Sequence, residues 1–172
     1  MKRILVCLIC IAMLFGITAC GGKSGSGTAG MNDGVFTFAT EDMEGNAFTS
    51  EDVKDAKLIM VNLWEPWCGP CVGEMPDLEK VYEEYMDDGF VILGVFSETS
   101  MDEDAKAVLE EAGITYPILR ASEEFGLFQT GYVPTTVFLN GAGELVSDAP
   151  IIGSQSYEDW ERTVKNLLEE QG

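Results

Sequence analysis

The stretch 58–96 changes its hydrophobic period twice, and that constrains the fold more than any other feature of the chain. Leu58-Ile59-Met60-Val61-Asn62-Leu63-Trp64 is an almost unbroken apolar run of strand length, closed by Pro66. A strand that does not alternate has both faces covered, as central strands of layered α/β folds do. From Pro70 onward Val72, Met75, Leu78, Val81, Tyr82 and Tyr85 recur at helical spacing until Gly89, which predicts a helix. Residues 90–96 are a second buried run. Strand, helix and strand in that order predict a βαβ unit with parallel strands and a right-handed crossover.

The flanking segments extend this α/β reading. Val35-Phe36-Thr37-Phe38 alternates and leads through residues 43–46 to Ala47-Phe48-Thr49, predicting an N-terminal hairpin. Ser100 and Glu103 have capping-box spacing ahead of a helix reaching Ala112 and stopping at Gly113. A short strand is predicted at 116–119 and a short helix from Ser122 through Phe128. Residues 135–139, an Asn140-Gly141-Ala142-Gly143 turn and residues 144–146 read as a second hairpin. A final amphipathic helix begins near Tyr157, with Trp160, Val164, Leu167 and Leu168 on one face.

The N-terminus reads as a targeting signal. Lys2 and Arg3 precede an apolar run from Ile4 to Ile17, closed by Thr18 and Ala19, that is short for a membrane span. Ile17-Thr18-Ala19-Cys20 resembles the bacterial lipobox, which implies cleavage before Cys20 and a diacylglycerol on its sulfur. An ordinary secretory signal is the alternative. The expected organisation is a signal peptide at 1–19, a Gly- and Ser-rich flexible tether at 20–33 carrying lipidated Cys20, and one domain at 34–172. Of the five cysteines, Cys7 and Cys10 then fall in the discarded signal and Cys20 is lipidated, leaving Cys68 and Cys71. Their loop is too small to staple a fold by restricting the unfolded chain, so chemistry is the better reason for the pair.

Trp67-Cys68-Gly69-Pro70-Cys71 lies where the central strand meets its helix. A sulfur at a helix start faces unpaired N–H groups and the positive end of the dipole, which stabilise a thiolate. Cys68 is the expected attacking thiol, and Cys71, one turn further in, the resolving one. Half of a zinc site is the competing reading, but the chain has no His and no second C-x-x-C pair. No metal and no cofactor is expected. The missing imidazole also removes Ser-His and Cys-His catalysis. Lys and Arg total 10 against 30 Asp and Glu, a net charge of −20, or −22 once Lys2 and Arg3 leave with the signal. A chain so acidic repels phosphate, so no nucleic-acid partner is expected.

The segment from Val61 to Cys71 resembles thioredoxin, and Val72-Gly73-Glu74-Met75-Pro76 is similar to the membrane-anchored branch related to TlpA and ResA. The likeness covers roughly residues 34–170 and includes Val133-Pro134-Thr135, which matches that family's cis-proline loop. It implies a thioredoxin fold: a central mixed sheet flanked by helices, with an N-terminal β-hairpin and a central insertion at about 97–130. It also implies a substrate surface of Trp67, Gly69, Pro70, Val133, Pro134 and Thr135, with a cis bond at Pro134 exposing the Val133 backbone to a client strand. Where cytoplasmic thioredoxins carry a buried Asp, this chain has Asn62, which cannot titrate. Glu74 matches a Glu of the ResA-like branch and shares a helix face with Cys71. It is the expected acceptor or relay of the Cys71 proton; a solvent-facing acid complementing the helix dipole is the alternative.

The expected function is thus an extracytoplasmic thiol–disulfide oxidoreductase, lipid-anchored at the outer face of the cell membrane. The resemblance favours reduction of client disulfides, with electrons from a CcdA-like membrane protein and apocytochrome c or a methionine sulfoxide reductase as clients. An oxidant, a peroxiredoxin-like peroxidase or a non-enzymatic binding lipoprotein are the alternatives. A peroxidatic Cys usually follows a Thr or Ser by three residues, and Glu65 stands there.

Overall fold

A computed structural model describes residues 30–172; the expected signal peptide, Cys7, Cys10, Cys20 and most of the expected tether lie outside the described residues. A five-stranded mixed sheet organises them: β5 (Leu58–Leu63), β6 (Phe90–Phe96), β7 (Ile118–Arg120), β8 (Thr135–Leu139) and β9 (Ile151–Ile152), in the order β7-β6-β5-β8-β9. β5 runs parallel to β6, and β6 to β7, while β8 is antiparallel to β5 and β9. The expected thioredoxin-like α/β fold is therefore present. α1 (Gly69–Tyr85) connects β5 to β6, α2 (Asp102–Ala112) precedes β7, and α3 (Tyr157–Glu170) closes the chain.

Strand alternation explains the unbroken apolar runs. Ile59, Val61 and Leu63 face one side of β5 and pack with Leu93, Val95, Val137, Phe36 and Phe125. Leu58 and Met60 face the other side and pack with Ile92, Phe138, Leu78 and Val81 of α1, and Trp160 and Val164 of α3. Both faces of β5 are thus covered, and all six of its residues are buried. Asn62 has the same parity as Leu58 and Met60. It therefore sits on the helix side, one step nearer the end of the sheet where α1 begins.

The N-terminal region departs from the single predicted hairpin. Val35–Phe36 (β2) pairs with Met31–Asn32 (β1), and a separate hairpin joins Ala39–Glu41 (β3) to Ala47–Thr49 (β4). Asp33 and Gly34, both at positive φ, make the first a tight turn, so β1 falls at the end of the segment read as tether. Phe36 and Phe38 keep their common inward parity across the break, with ring centroids 5.8 Å apart. The β3–β4 hairpin covers the β7 edge through an Asp42–Leu119 bridge and a hydrogen bond from Thr40 Oγ1 to Arg120 O, 2.6 Å.

Two further differences are local. Ser100 does not form the capping box: its hydroxyl donates to Glu98 Oε1, residues 99–101 form a 3₁₀ turn, and α2 starts at Asp102. The Asp102 carboxylate instead pairs with Arg120, whose guanidinium lies 4.8 Å from the Phe96 ring centroid. The turn after β8 is as expected, closed by Asn140 N donating to Glu144 O, but residues 144–146 make only isolated contacts with β8. Ile151–Ile152 supplies the true edge strand. Gly143 in that turn has φ +83°, its carbonyl accepts the Phe36 N–H at 2.7 Å, and Phe36 O lies 2.3 Å from where a Cβ would stand. Gly143→Ala is expected to cost at least about 2 kcal/mol, from the left-handed backbone and the lost contact with β2. An unchanged urea midpoint would contradict this.

Candidate active site

The C-terminal ends of β5 and β6 present the cysteine motif. Trp64 is buried against Phe96, with ring centroids 5.4 Å apart, in a cluster that includes Cys68, Cys71 and Met75. The chain then turns over Glu65 and Pro66, with Cys68 N donating to Glu65 O at 3.0 Å. Cys68 occupies the N-cap of α1 with extended backbone, where Ser, Thr or Asp normally stand. Its sulfur accepts the Cys71 N–H at 3.2 Å. Pro70 falls in the first turn, where its missing N–H removes no helical bond. The same orphan N–H groups that require a cap thus supply a partner for a thiolate.

Cys68 and Cys71 are joined by a disulfide. The order of accessibility is the expected one, but the contrast is small: Cys68 is 5 % exposed and Cys71 1 %. What is presented to solvent is the surround. Gly69 and Pro70 are exposed, Trp67 is 61 % exposed, and Tyr132, unmarked in the sequence, is 71 % exposed. The Val133–Pro134 bond is cis, and Val133 O lies 3.5 Å from Cys68 Sγ. Thr135, by contrast, is fully buried; its hydroxyl donates to Tyr132 O at 2.7 Å and bonds Thr130 Oγ1 at 2.8 Å. It braces the proline loop from beneath.

Glu74, one turn beyond Cys71 on α1, points inward and is 3 % exposed, so it is not a solvent-facing first-turn acid. Asn62 Nδ2 donates to Glu74 Oε1 at 3.2 Å, and Oε2 accepts from Gln155 N at 3.1 Å and Trp160 Nε1 at 3.3 Å. Asn62 also donates to Thr136 Oγ1, its register partner on β8, at 3.0 Å. Burial pushes the Glu74 carboxyl up to about 7, against the opposing pull of these three donors. A titratable group thus stands on the helix facing β5, bonded to Asn62, which cannot titrate. Trp160 carried only a core signal in the sequence, and Gln155 carried none. The burial of Glu65 likewise carried no signal in the sequence.

The profile of the AhpC/TSA family matches residues 31–147. The thiol-disulfide oxidoreductase ResA of Geobacillus kaustophilus (strain HTA426) is 30% identical over 133 residues, covering 76% of this chain and 74% of that protein. ResA of Bacillus thuringiensis (strain Al Hakam) is 28% identical over 132 residues, with the same coverage of 76% and 74%. A crystal structure of a thioredoxin-family thiol:disulfide interchange protein from Chlorobium tepidum TLS superposes with a TM-score of 0.66. It is 27% identical, covering 77% of this chain and 93% of that one. With a C-x-x-C pair on a thioredoxin-like fold and relatives of this kind, the chain belongs to the AhpC/TSA family and, within it, to the ResA-type thiol–disulfide oxidoreductases.

Proposed function

We propose that the mature protein is a lipid-anchored, extracytoplasmic reductant of client disulfides. The observation that carries this reading is the Cys71 N–H held 3.2 Å from Cys68 Sγ at the start of α1, an arrangement that favours the thiolate of the first cysteine. In the reduced protein the Cys68 thiolate attacks a client disulfide, forming a mixed disulfide and expelling one client thiolate. Cys71 loses its proton and attacks the Cys68 sulfur, which releases the second client thiolate and leaves the Cys68–Cys71 disulfide. Two electrons have then passed to the client. Glu74 is the proposed acceptor of the Cys71 proton: an acid poised near neutral pH suits proton transfer in both directions. The exposed Trp67, Gly69 and Pro70, with the half-buried Val133, receive the client, and Pro134 and Thr135 hold the loop.

Reduction outside the cytoplasm needs electrons delivered through the membrane, and a CcdA-like protein is the proposed donor. Apocytochrome c and a methionine sulfoxide reductase are the clients in view. A diacylglycerol on Cys20 supplies the two acyl chains that lasting attachment requires, and a tether of about a dozen residues reaches roughly 20 Å. This keeps the cysteine pair near a membrane donor. The wild-type protein is therefore expected in the membrane fraction with Cys68 and Cys71 mainly reduced, as read by thiol trapping. Cys20→Ala is expected to be soluble or stalled in maturation, with any soluble form shifted to the disulfide. A wild-type protein found soluble with a free Cys20 thiol would overturn the anchor, and a mainly oxidised wild-type pair would overturn the direction.

A further inference from the structure

A cavity of about 400 Å³ opens beside the cysteine motif, lined by Trp67, Tyr132 and Val133 at the surface and by Trp64 and Phe125 deeper in, with Glu65 among its walls. Glu65 is 7 % exposed. Its Oε1 accepts from Ser97 N at 3.0 Å and Ser97 Oγ at 2.5 Å, and its Oε2 accepts from Glu98 N at 3.2 Å. These neutral donors fix the group but do not cancel its charge. A carboxylate offers about four acceptor sites, so one on Oε2 stays open. Among the described residues Glu65 joins none of the ion pairs, and no Lys or Arg lines the cavity.

Two large aromatic side chains stand exposed at the same opening, Trp67 at 61 % and Tyr132 at 71 %. An apolar-walled cavity with two accessible aromatic rings and one uncompensated, immobilised carboxylate is complementary to a side chain with an aliphatic stem and a cationic head. The net charge of −20 acts in the same sense at longer range.

We propose that this cavity is a subsite for a Lys or Arg of the client next to the disulfide under attack, with Glu65 as its anionic determinant and Trp67 and Tyr132 as its aromatic walls. The inference rests on the disulfide-exchange reading of the site and adds a preference to it: basic sequence beside the client cysteine is reduced faster.

The test uses the full chain, pre-reduced, as the only electron source in single-turnover reactions. Its substrates are two peptides of one composition, each with a single Cys held as a mixed disulfide with 2-mercaptoethanol. The Lys stands next but one to the Cys in the first peptide and at the far end in the second, so net charge is equal, and each ratio is divided by that found with dithiothreitol in place of the protein, which cancels the effect of a near Lys on the disulfide's own reactivity. The near-Lys peptide is expected to react roughly three- to ten-fold faster, and Glu65→Gln is expected to bring that ratio close to one. The ratio is taken within each protein, so a general loss from a displaced Cys68 turn cancels. If Glu65→Gln does not fold, Tyr132→Ala in the same comparison must lower the ratio. Equal corrected rates in the wild type, or a ratio retained in the variants, would overturn the subsite and leave disulfide exchange standing. No reaction with either peptide would overturn the exchange reading and the subsite with it.

Discussion

Cys68→Ala is expected to bring reduction of a protein disulfide down to the uncatalysed level, whereas Cys71→Ala still attacks and then accumulates as a mixed disulfide with its substrate. The two sulfurs are only three positions apart, yet they face different chemistry. Cys68 at the N-cap accepts the Cys71 N–H and adjoins Val133 O, so attack requires only its thiolate and an extended client segment along the proline loop. Cys71 is 1 % exposed and Cys68 5 %, so it is the N-cap position and the neighbouring Val133 O, rather than exposure, that assign the attack to Cys68. The remaining role of Cys71 is to attack the Cys68 sulfur from within, and without it the intermediate persists. Non-reducing electrophoresis after insulin challenge, with thiol alkylation, separates the two outcomes. Turnover in Cys68→Ala would reverse the assignment.

Glu74→Gln is expected to change both stability and the pH dependence of resolution. Its folded-state value of about 7 lies above the roughly 4.3 of an unfolded Glu. Folding therefore holds a proton that the unfolded chain releases between those two values. No penalty exists below about pH 4.3; it grows as pH rises and is complete above about pH 7, where it reaches about 4 kcal/mol. Gln carries no charge, so relative to wild type the variant should gain stability through that window, by about 1–3 kcal/mol at pH 8. Part of the gain is lost because its amide must face Asn62 while its oxygen takes the Gln155 and Trp160 donors. Urea titrations of the disulfide form keep the thiols out of the comparison. The second readout is resolution of a mixed disulfide by Cys71, whose inflection near pH 7 should vanish in the variant. A merely structural Glu74 would alter stability and leave that inflection in place.

Much of the fold was legible because it depends on local periodicity. The unbroken runs at 58–64 and 90–96, the helical spacing between them and the W-C-G-P-C junction define a βαβ unit with its reactive pair at one end, whatever else surrounds it. The cis-proline loop was legible only through the family resemblance that Val133-Pro134-Thr135 carries, and the fold then sets Val133 O 3.5 Å from Cys68 Sγ. Pairing partners were less so. Residues 35–38 carry a strand pattern without naming the strand beside them, and a ladder with Met31–Asn32 satisfies that pattern as well as one with Ala47–Thr49. The edge beside β8 went to Ile151–Ile152 for the same reason.

The sequence by itself determined the α/β class, the reactive pair, its position at a helix start and the absence of any imidazole chemistry, because each follows from residue identity and nearby spacing. Only the tertiary structure decided how the acids behave. Glu65, Glu74 and Glu79 are written like the other carboxylates of an acidic chain, yet all three are buried. Glu74 meets Asn62 from β5, Gln155 from the loop before α3 and Trp160 from α3 itself, while Glu65 meets the end of β6. Those partners lie up to 86 positions away. Desolvation depends on everything packed around a group, so no local pattern in the chain records it.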